Sequence, residues 1–156
     1  MAKNKGKEFE QRVKADIQKL DNVSLLRLYD TTNGFKGISQ PCDFVLYKYP
    51  NQYFLECKTT IGNTWSLHYT QYEKQKEIFD KHIKGIRIGV IIWFEKHDAV
   101  IYLPFATIQK MLNDGKVSCN IKDLNSDYRI IQLPSVKQRI YMSTDYSVLQ
   151  KLEDGD

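Results

Sequence analysis

Cysteine is scarce in this sequence, and its spacing excludes two kinds of chemistry. Cys42, Cys57 and Cys119 are the three thiols. Their separations match no zinc-binding pattern, and an odd number leaves no complete disulfide framework. Three reduced, mostly buried thiols in a cytosolic protein are expected. Histidine is equally sparse: His68, His82 and His97 lack any metal-ligand spacing and are expected to be structural or exposed. No apolar run approaches the roughly 20 residues that a membrane span needs. The longest, around Ile86 to Phe94, is interrupted by Arg87 and Gly89 and fits a buried strand. No secretory pattern opens the sequence, and it holds no internal repeat, low-complexity tract or clear linker.

What is present is enough for a folded core. Apolar residues make up 42% of the chain and aromatics 12%, with ten tyrosines. Tyrosine packs in cores and stacks on bases, so composition alone does not choose between these roles. Residues 1–156 are the size of one ordinary domain. The net charge of +4 leans mildly toward an anionic partner. Its distribution says more: Lys3, Lys5, Lys7, Arg12, Lys14 and Lys19 crowd the N-terminal segment, while Glu153, Asp154 and Asp156 close the chain.

Asn4 to Leu20 reads as an amphipathic helix, with Phe9, Val13, Ile17 and Leu20 on one stripe and charges mostly on the other faces. Val23 to Tyr29 reads as a strand. A polar stretch from Thr31 to Pro41 is a loop of the length that often carries function. Cys42–Lys48 and Tyr53–Thr59 then form a predicted hairpin around Tyr49-Pro50-Asn51-Gln52. A second helix is expected over Thr70–Ile83, with Tyr72, Gln75, Phe79 and His82 or Ile83 inward. Strands follow at Ile86–Phe94 and Ala99–Leu103, joined by a turn at Lys96-His97-Asp98. A short helix over Phe105–Asn113 ends at Asp114-Gly115, and Tyr128–Leu133 is a candidate last strand. This alternation implies an α/β fold, a central mixed β-sheet flanked by helices.

The chemistry concentrates at the hairpin. Side chains alternate along a strand, so Glu56 and Lys58 share a face. With the turn near Pro50, Asp43 falls opposite them, and three ionisable groups converge at one end. Hydrolysis of a phosphodiester needs a divalent cation, a positioned water and a group that orients or deprotonates that water. Mg²⁺ prefers hard carboxylate and carbonyl oxygens. Asp43 and Glu56 offer these, and the Cys57 carbonyl adds a third. Lys58 can hold the water and offset charge; acting as a base, it would need a depressed pKa. A lone Glu-x-Lys pair more often forms a solvated ion pair, and a lone aspartate at a strand start is often merely exposed. The apolar run Tyr53-Phe54-Leu55 leading into the motif, together with Asp43, favours a site.

Asp43 followed by Glu56-Cys57-Lys58 resembles the core of the PD-(D/E)XK nuclease superfamily. Gly6-Lys7-Glu8-Phe9-Glu10 resembles the Gly-x-x-x-Glu opening of its Holliday-junction resolvases, the archaeal Hjc type and the RecU type of Gram-positive bacteria and their phages. Gly89–Phe94 and Ala99–Pro104 are similar to the RecU pattern of two apolar strands leading into a short helix. The resemblance spans about Lys5 to Met111 and leaves the tail unexplained. It implies a restriction-endonuclease-like core, with Asp43 and Glu56 binding Mg²⁺ (Mn²⁺ being the alternative ion) and Lys58 handling the water. Glu10 would complete the metal site, with Glu8 as its competitor on the same helix. Gln75, with Gln71 as competitor, would support the lysine or the water. Lys3, Lys5, Lys7, Arg12, Lys36, Thr59 and Thr60 would contact DNA. Trp65 and Trp93 are residue types more often found in a core than stacked on bases, and Trp65, in a polar segment, is the better contact candidate of the two. Asn33–Gln40 falls where RecU proteins carry a protruding stalk, but it is short here, and Pro41 stands two residues before Asp43 rather than one.

The function so implied is Mg²⁺-dependent resolution of four-way DNA junctions by paired symmetric nicks. It would be carried out by a homodimer in the cytoplasm, the host cytoplasm if the chain is phage-encoded. Another PD-(D/E)XK endonuclease of restriction or nicking type, or a non-catalytic DNA-binding module on the same fold, are the alternatives.

Overall fold

The first helix starts at the cap that the sequence offers. In the computed structural model, which describes residues 4–29, 40–139 and 141–151, the Asn4 side chain accepts a hydrogen bond from the Lys7 N–H and opens α1 (Lys5–Ile17). Phe9, Val13 and Ile17 are buried on one stripe, as their spacing predicts. Charges stay mostly on the other faces, as expected, but Asp16 turns inward. It is 4% exposed, paired with Arg12 and Lys19, and its Oδ2 accepts the Thr144 N–H at 3.0 Å.

β1 (Ser24–Arg27) is shorter than the expected strand and pairs antiparallel with β2 (Phe44–Lys48). β2 pairs antiparallel with β3 (Asn51–Thr60), forming the predicted hairpin. A short β4 (Thr64–Ser66) and then α2 (Tyr72–Phe79) follow. This helix stops before Ile83, and His82 adopts φ +50, a left-handed conformation no helix can continue through. β5 (Ile86–Phe94) and β6 (Ala99–Pro104) are antiparallel neighbours joined by a 3₁₀ turn at Glu95–His97. α3 (Phe105–Asn113) ends before Gly115, whose φ of +85 suits glycine. β7 (Ser118–Asn120) pairs with β4. β8 (Ile131–Leu133), the core of the expected last strand, joins the edge of β6. β9 (Ser135–Lys137) and β10 (Met142–Thr144) form a small hairpin, and a 3₁₀ segment, Tyr146–Lys151, follows.

The main sheet has the order β1-β2-β3-β5-β6-β8. Among the described strands of this sheet only β3 and β5 run parallel, so the sheet is mixed. β5 lies at its centre. Its Ile91 and Trp93 join one core with α1, while Val90, Ile92 and Phe94 join the other with α3. Burial on both faces explains why this strand reads as an unbroken apolar run. The tail that the motif left unexplained closes the α1 side. Tyr146 and Leu149 are buried there, and the Tyr53 hydroxyl donates to the Leu149 carbonyl at 2.6 Å. Trp65 takes the core reading rather than the contact one: it is 8% exposed and sits in the α3-side core. The three-residue strand β4 turns alternate side chains inward, so a polar sequence neighbourhood did not mean an exposed indole. No described helix is long and apolar enough to cross a membrane.

Candidate active site

The backbone fixes Asp43 at the mouth of the hairpin. Its N–H donates to the Leu55 carbonyl at 3.0 Å, and its carbonyl accepts the Leu28 N–H at 2.8 Å. The residue is thereby held between β1 and β3, one position before β2 begins. Its carboxylate Oδ2 accepts the Cys57 N–H at 2.8 Å. The three motif positions thus meet as strand alternation predicts, with Cys57 contributing its amide and Glu56 and Lys58 their side chains.

Glu56 is 3% exposed. Its Oε1 lies 3.3 Å from Lys58 Nζ, while its buried Oε2 has no hydrogen-bond partner. Burial first, and the charge of Asp43 second, push its pKa up to about 8 against the opposing pull of Lys58. A buried carboxyl with an orphaned oxygen, set against another carboxylate, is costly unless something compensates it. Glu10, on α1, is also raised, by burial and then by Asp43, with Arg27 opposing. The charge of Asp43 thus raises both of the other carboxyls.

Arg27 is the residue that sequence reasoning missed. Its guanidinium reaches Glu10 Oε2 at 2.7 Å and Asp43 Oδ1 at 3.5 Å. It also donates to the Asp43 carbonyl at 3.1 Å and to that of Leu28. The available signal was a single charge inside the apolar strand Val-Ser-Leu-Leu-Arg-Leu-Tyr. Tyr69 was missed as well, and nothing in its sequence context marks it. Its hydroxyl donates to Gln75 Oε1 at 2.6 Å.

Gln75 is fully buried, as its place on the inner stripe of α2 requires. Its Nε2 donates to the Pro41 carbonyl at 3.0 Å. It therefore ties α2 to the segment that delivers Asp43, rather than contacting Lys58. Of the expected DNA contacts, Lys5 is ion-paired with Glu95 at 2.9 Å. Lys7 is exposed, one turn before Glu10 on the same helix. Arg12 binds Asp16 and lies 4.0 Å over the Tyr141 ring. Thr60 donates to the Thr64 carbonyl at 2.8 Å, and Thr59 is half-buried beside Lys58. Lys3, Lys36 and residues 30–39, the stalk-like stretch among them, lie outside the described residues. The thiols of Cys42 and Cys57 are raised by burial, with nearby carboxylates adding to the effect. They are inert packing groups rather than nucleophiles.

Among the described residues no three His, Cys, Asp or Glu side chains are already gathered as a metal-ligand cluster. The donor chemistry nonetheless fits a hard divalent cation. Asp43 and Glu56 offer carboxylate oxygens, one of them unpartnered, and the carboxyls repel one another. Glu10 would join such a site only when Arg27 releases it.

No protein-family model matches the sequence, and no curated protein matches it. A solved structure does match. Hjc, a Holliday junction resolvase from the archaeal hyperthermophile Archaeoglobus fulgidus, superposes with a TM-score of 0.50 at 18% identity, over 65% of this chain and 78% of that one. The chain has the fold of Hjc. That fold is the restriction-endonuclease-like α/β core expected from the motif, a mixed sheet flanked by helices. On this Hjc-like core the Asp43, Glu56 and Lys58 side chains gather where β2 begins and the C-terminal half of β3 lies.

Proposed function

We propose that the chain is a structure-selective DNA endonuclease that resolves four-way junctions by paired symmetric nicks. The observation that carries this reading is the buried Glu56 carboxyl, with its unpartnered oxygen, held against Asp43 and beside the Lys58 ammonium. The Hjc-like fold supports it. Mg²⁺, or Mn²⁺ in its place, held by Asp43 and Glu56 with the Cys57 carbonyl, would supply Lewis-acid neutralisation of the scissile phosphate. The protein's own groups do the rest. Lys58 hydrogen-bonds the attacking water and offsets developing negative charge. The Cys57 N–H fixes the Asp43 carboxylate, and the Gln75–Pro41 tie fixes the backbone that carries it. Lys7, exposed on α1, presents positive charge to the DNA backbone, while Lys5 and Arg12 would first have to exchange their carboxylate partners for phosphates; recognition rests on shape and branch geometry more than on base edges.

Two nicks related by a two-fold axis need two equivalent sites, so the functional unit is a C2 homodimer working in the cytoplasm. Sedimentation of the purified protein tests the stoichiometry. The activity is tested by incubating a labelled four-way junction with Mg²⁺ beside linear duplex and single strand of the same sequence. Nicks confined to the junction and placed symmetrically support resolution. Equal cutting of linear DNA would instead mark a restriction or nicking endonuclease. One observation favours a third reading: Arg27 already pairs with Glu10 and Asp43 in the manner of a resident cation. Tight junction binding without cleavage at any Mg²⁺ or Mn²⁺ concentration would identify a non-catalytic module.

A further inference from the structure

The two ends of the Arg27 guanidinium are held by different kinds of partner. Nη1 donates to two main-chain carbonyls, that of Leu28 and, at 3.1 Å, that of Asp43. The same nitrogen lies 3.5 Å from Asp43 Oδ1. Nη2 instead reaches a side chain on another element, Glu10 Oε2 on α1, at 2.7 Å. Between them, Cζ stands 5.0 Å from the ring centroid of Tyr29 and 5.4 Å from that of Phe44.

The main-chain carbonyls belong to the β1–β2 edge and stay in place whatever enters the site. The Glu10 carboxylate is exchangeable: its side chain and that of Arg27 are each 22% exposed. The guanidinium is therefore anchored at one nitrogen and able to change partner at the other.

Charge sets when it changes. Asp43 acts electrostatically on both Glu10 and Glu56. Among the described residues, Arg27 and Lys58 are the cations paired with this carboxylate group. With Glu10, Asp43 and Glu56 all ionised, the group holds one negative charge in excess of its two cations. A divalent ion alone reverses that excess and stands against the guanidinium. A phosphate alone adds to it. The two together balance, and a phosphate gives a guanidinium the same fork of oxygens that a carboxylate does.

We infer that Arg27 couples metal binding to DNA binding: its Nη1 stays on the main-chain carbonyls while its Nη2 passes from Glu10 to a phosphate oxygen of the bound strand. Glu10 is thereby freed for a divalent ion only when DNA takes over the arginine. This rests on the nuclease reading and adds a positioning residue to it. By linkage, the metal raises DNA affinity by the same factor as DNA raises metal affinity.

The test reads binding rather than turnover. Mn²⁺ binding to the DNA-free protein is followed through the electron paramagnetic resonance of the free ion, for wild type, Arg27→Gln and Arg27→Lys. With nothing contesting Glu10, Arg27→Gln should bind Mn²⁺ about fivefold or more tightly than wild type, with Arg27→Lys between them. An arginine that only braces the carboxylates gives the opposite order, because its loss lets them separate. Affinity for a labelled four-way junction is then measured by fluorescence anisotropy in Ca²⁺ and in chelator. Wild type should gain about tenfold or more from the ion, and Arg27→Gln at most about threefold. Should Arg27→Gln fold poorly, Arg27→Lys carries both measurements in the same direction. Unchanged or weaker Mn²⁺ binding in the variant, no gain from Ca²⁺ in the wild type, or an equal gain in both proteins overturns the exchange. Junction cleavage by the wild type in Mg²⁺ is scored separately. Cleavage with any of those results sinks the exchange alone, whereas both expected results without cleavage retain the exchange and sink the nuclease reading.

Discussion

The Arg27 guanidinium joins Glu10 to Asp43, 2.7 Å from the first carboxylate and 3.5 Å from the second. It holds two carboxylates together that would otherwise repel each other in a partly buried place. Arg27→Ala is expected to destabilise the metal-free protein by about 1–3 kcal/mol, which is below the full cost of breaking a buried pair because the site is partly solvated. Arg27→Lys keeps the charge but loses the planar fork, and should recover only part of the loss. Thermal melts in chelator check both variants. A melting temperature unchanged by Arg27→Ala would contradict this role.

Glu56 gives the site a signed pH dependence. Its pKa stands near 8 in the folded chain, far above an ordinary glutamate, so the folded state holds its proton more tightly than the unfolded state. The associated stability is fully present below the unfolded pKa and is lost as pH rises through about 8. Glu10 is shifted in the same direction. Metal-free protein should therefore melt lower at pH 8 than at pH 5. Glu56→Gln should flatten that slope and raise the melting temperature at pH 8, each kcal/mol appearing as about 2–4 °C. Mg²⁺ should stabilise the wild type more at pH 8 than at pH 6, since it competes with the proton. Parallel pH profiles for wild type and variant would be inconsistent with a buried, proton-holding Glu56.

The Tyr69–Gln75–Pro41 chain is expected to position Asp43. Gln75→Ala leaves the part-buried Pro41 carbonyl without its donor and should cost about 1–3 kcal/mol. Tyr69→Phe removes one hydrogen bond and should cost about 1 kcal/mol. Both should lower the junction-cleavage rate more than junction affinity, because the residues touch no DNA in the proposed arrangement. A loss of binding with an unchanged cleavage rate would place them at the DNA surface instead.

Gly89 marks a close crossing between central strands. A Cβ added there would collide with the Tyr102 ring. Both strands are buried, so the ring has little room to give way. Gly89→Ala should destabilise by about 1–3 kcal/mol, read as a lower denaturation midpoint in urea. An unchanged midpoint would mean that the crossing relaxes freely.

Much of this arrangement was legible in the sequence, for identifiable reasons. The hairpin and the convergence of Asp43, Glu56 and Lys58 follow from a period of two and a turn at Pro50. The first helix follows from its Phe9–Val13–Ile17 stripe and the Asn4 cap. What escaped the sequence is what only tertiary contact creates. Arg27 acquires its role because β1 lies beside Glu10 and Asp43, and Tyr69 because α2 buries Gln75. The end of α2 was misplaced because apolar spacing continues through Ile83 while the backbone turns left-handed at His82. Trp65 is the core residue that tryptophan usually is, and its polar segment does not make it a contact, because β4 finds its partner β7 more than fifty residues away, beyond the reach of local polarity.

The most direct test of the central claim is cleavage of a labelled four-way junction with Mg²⁺ by wild type and Asp43→Asn, with junction binding followed in parallel. Asparagine keeps an oxygen for the Cys57 N–H but removes the charge. The account predicts paired symmetric nicks by the wild type, falling at least about a hundredfold in the variant, with binding preserved. Cleavage at the wild-type rate by Asp43→Asn, or no cleavage and no binding by the wild type, would contradict it.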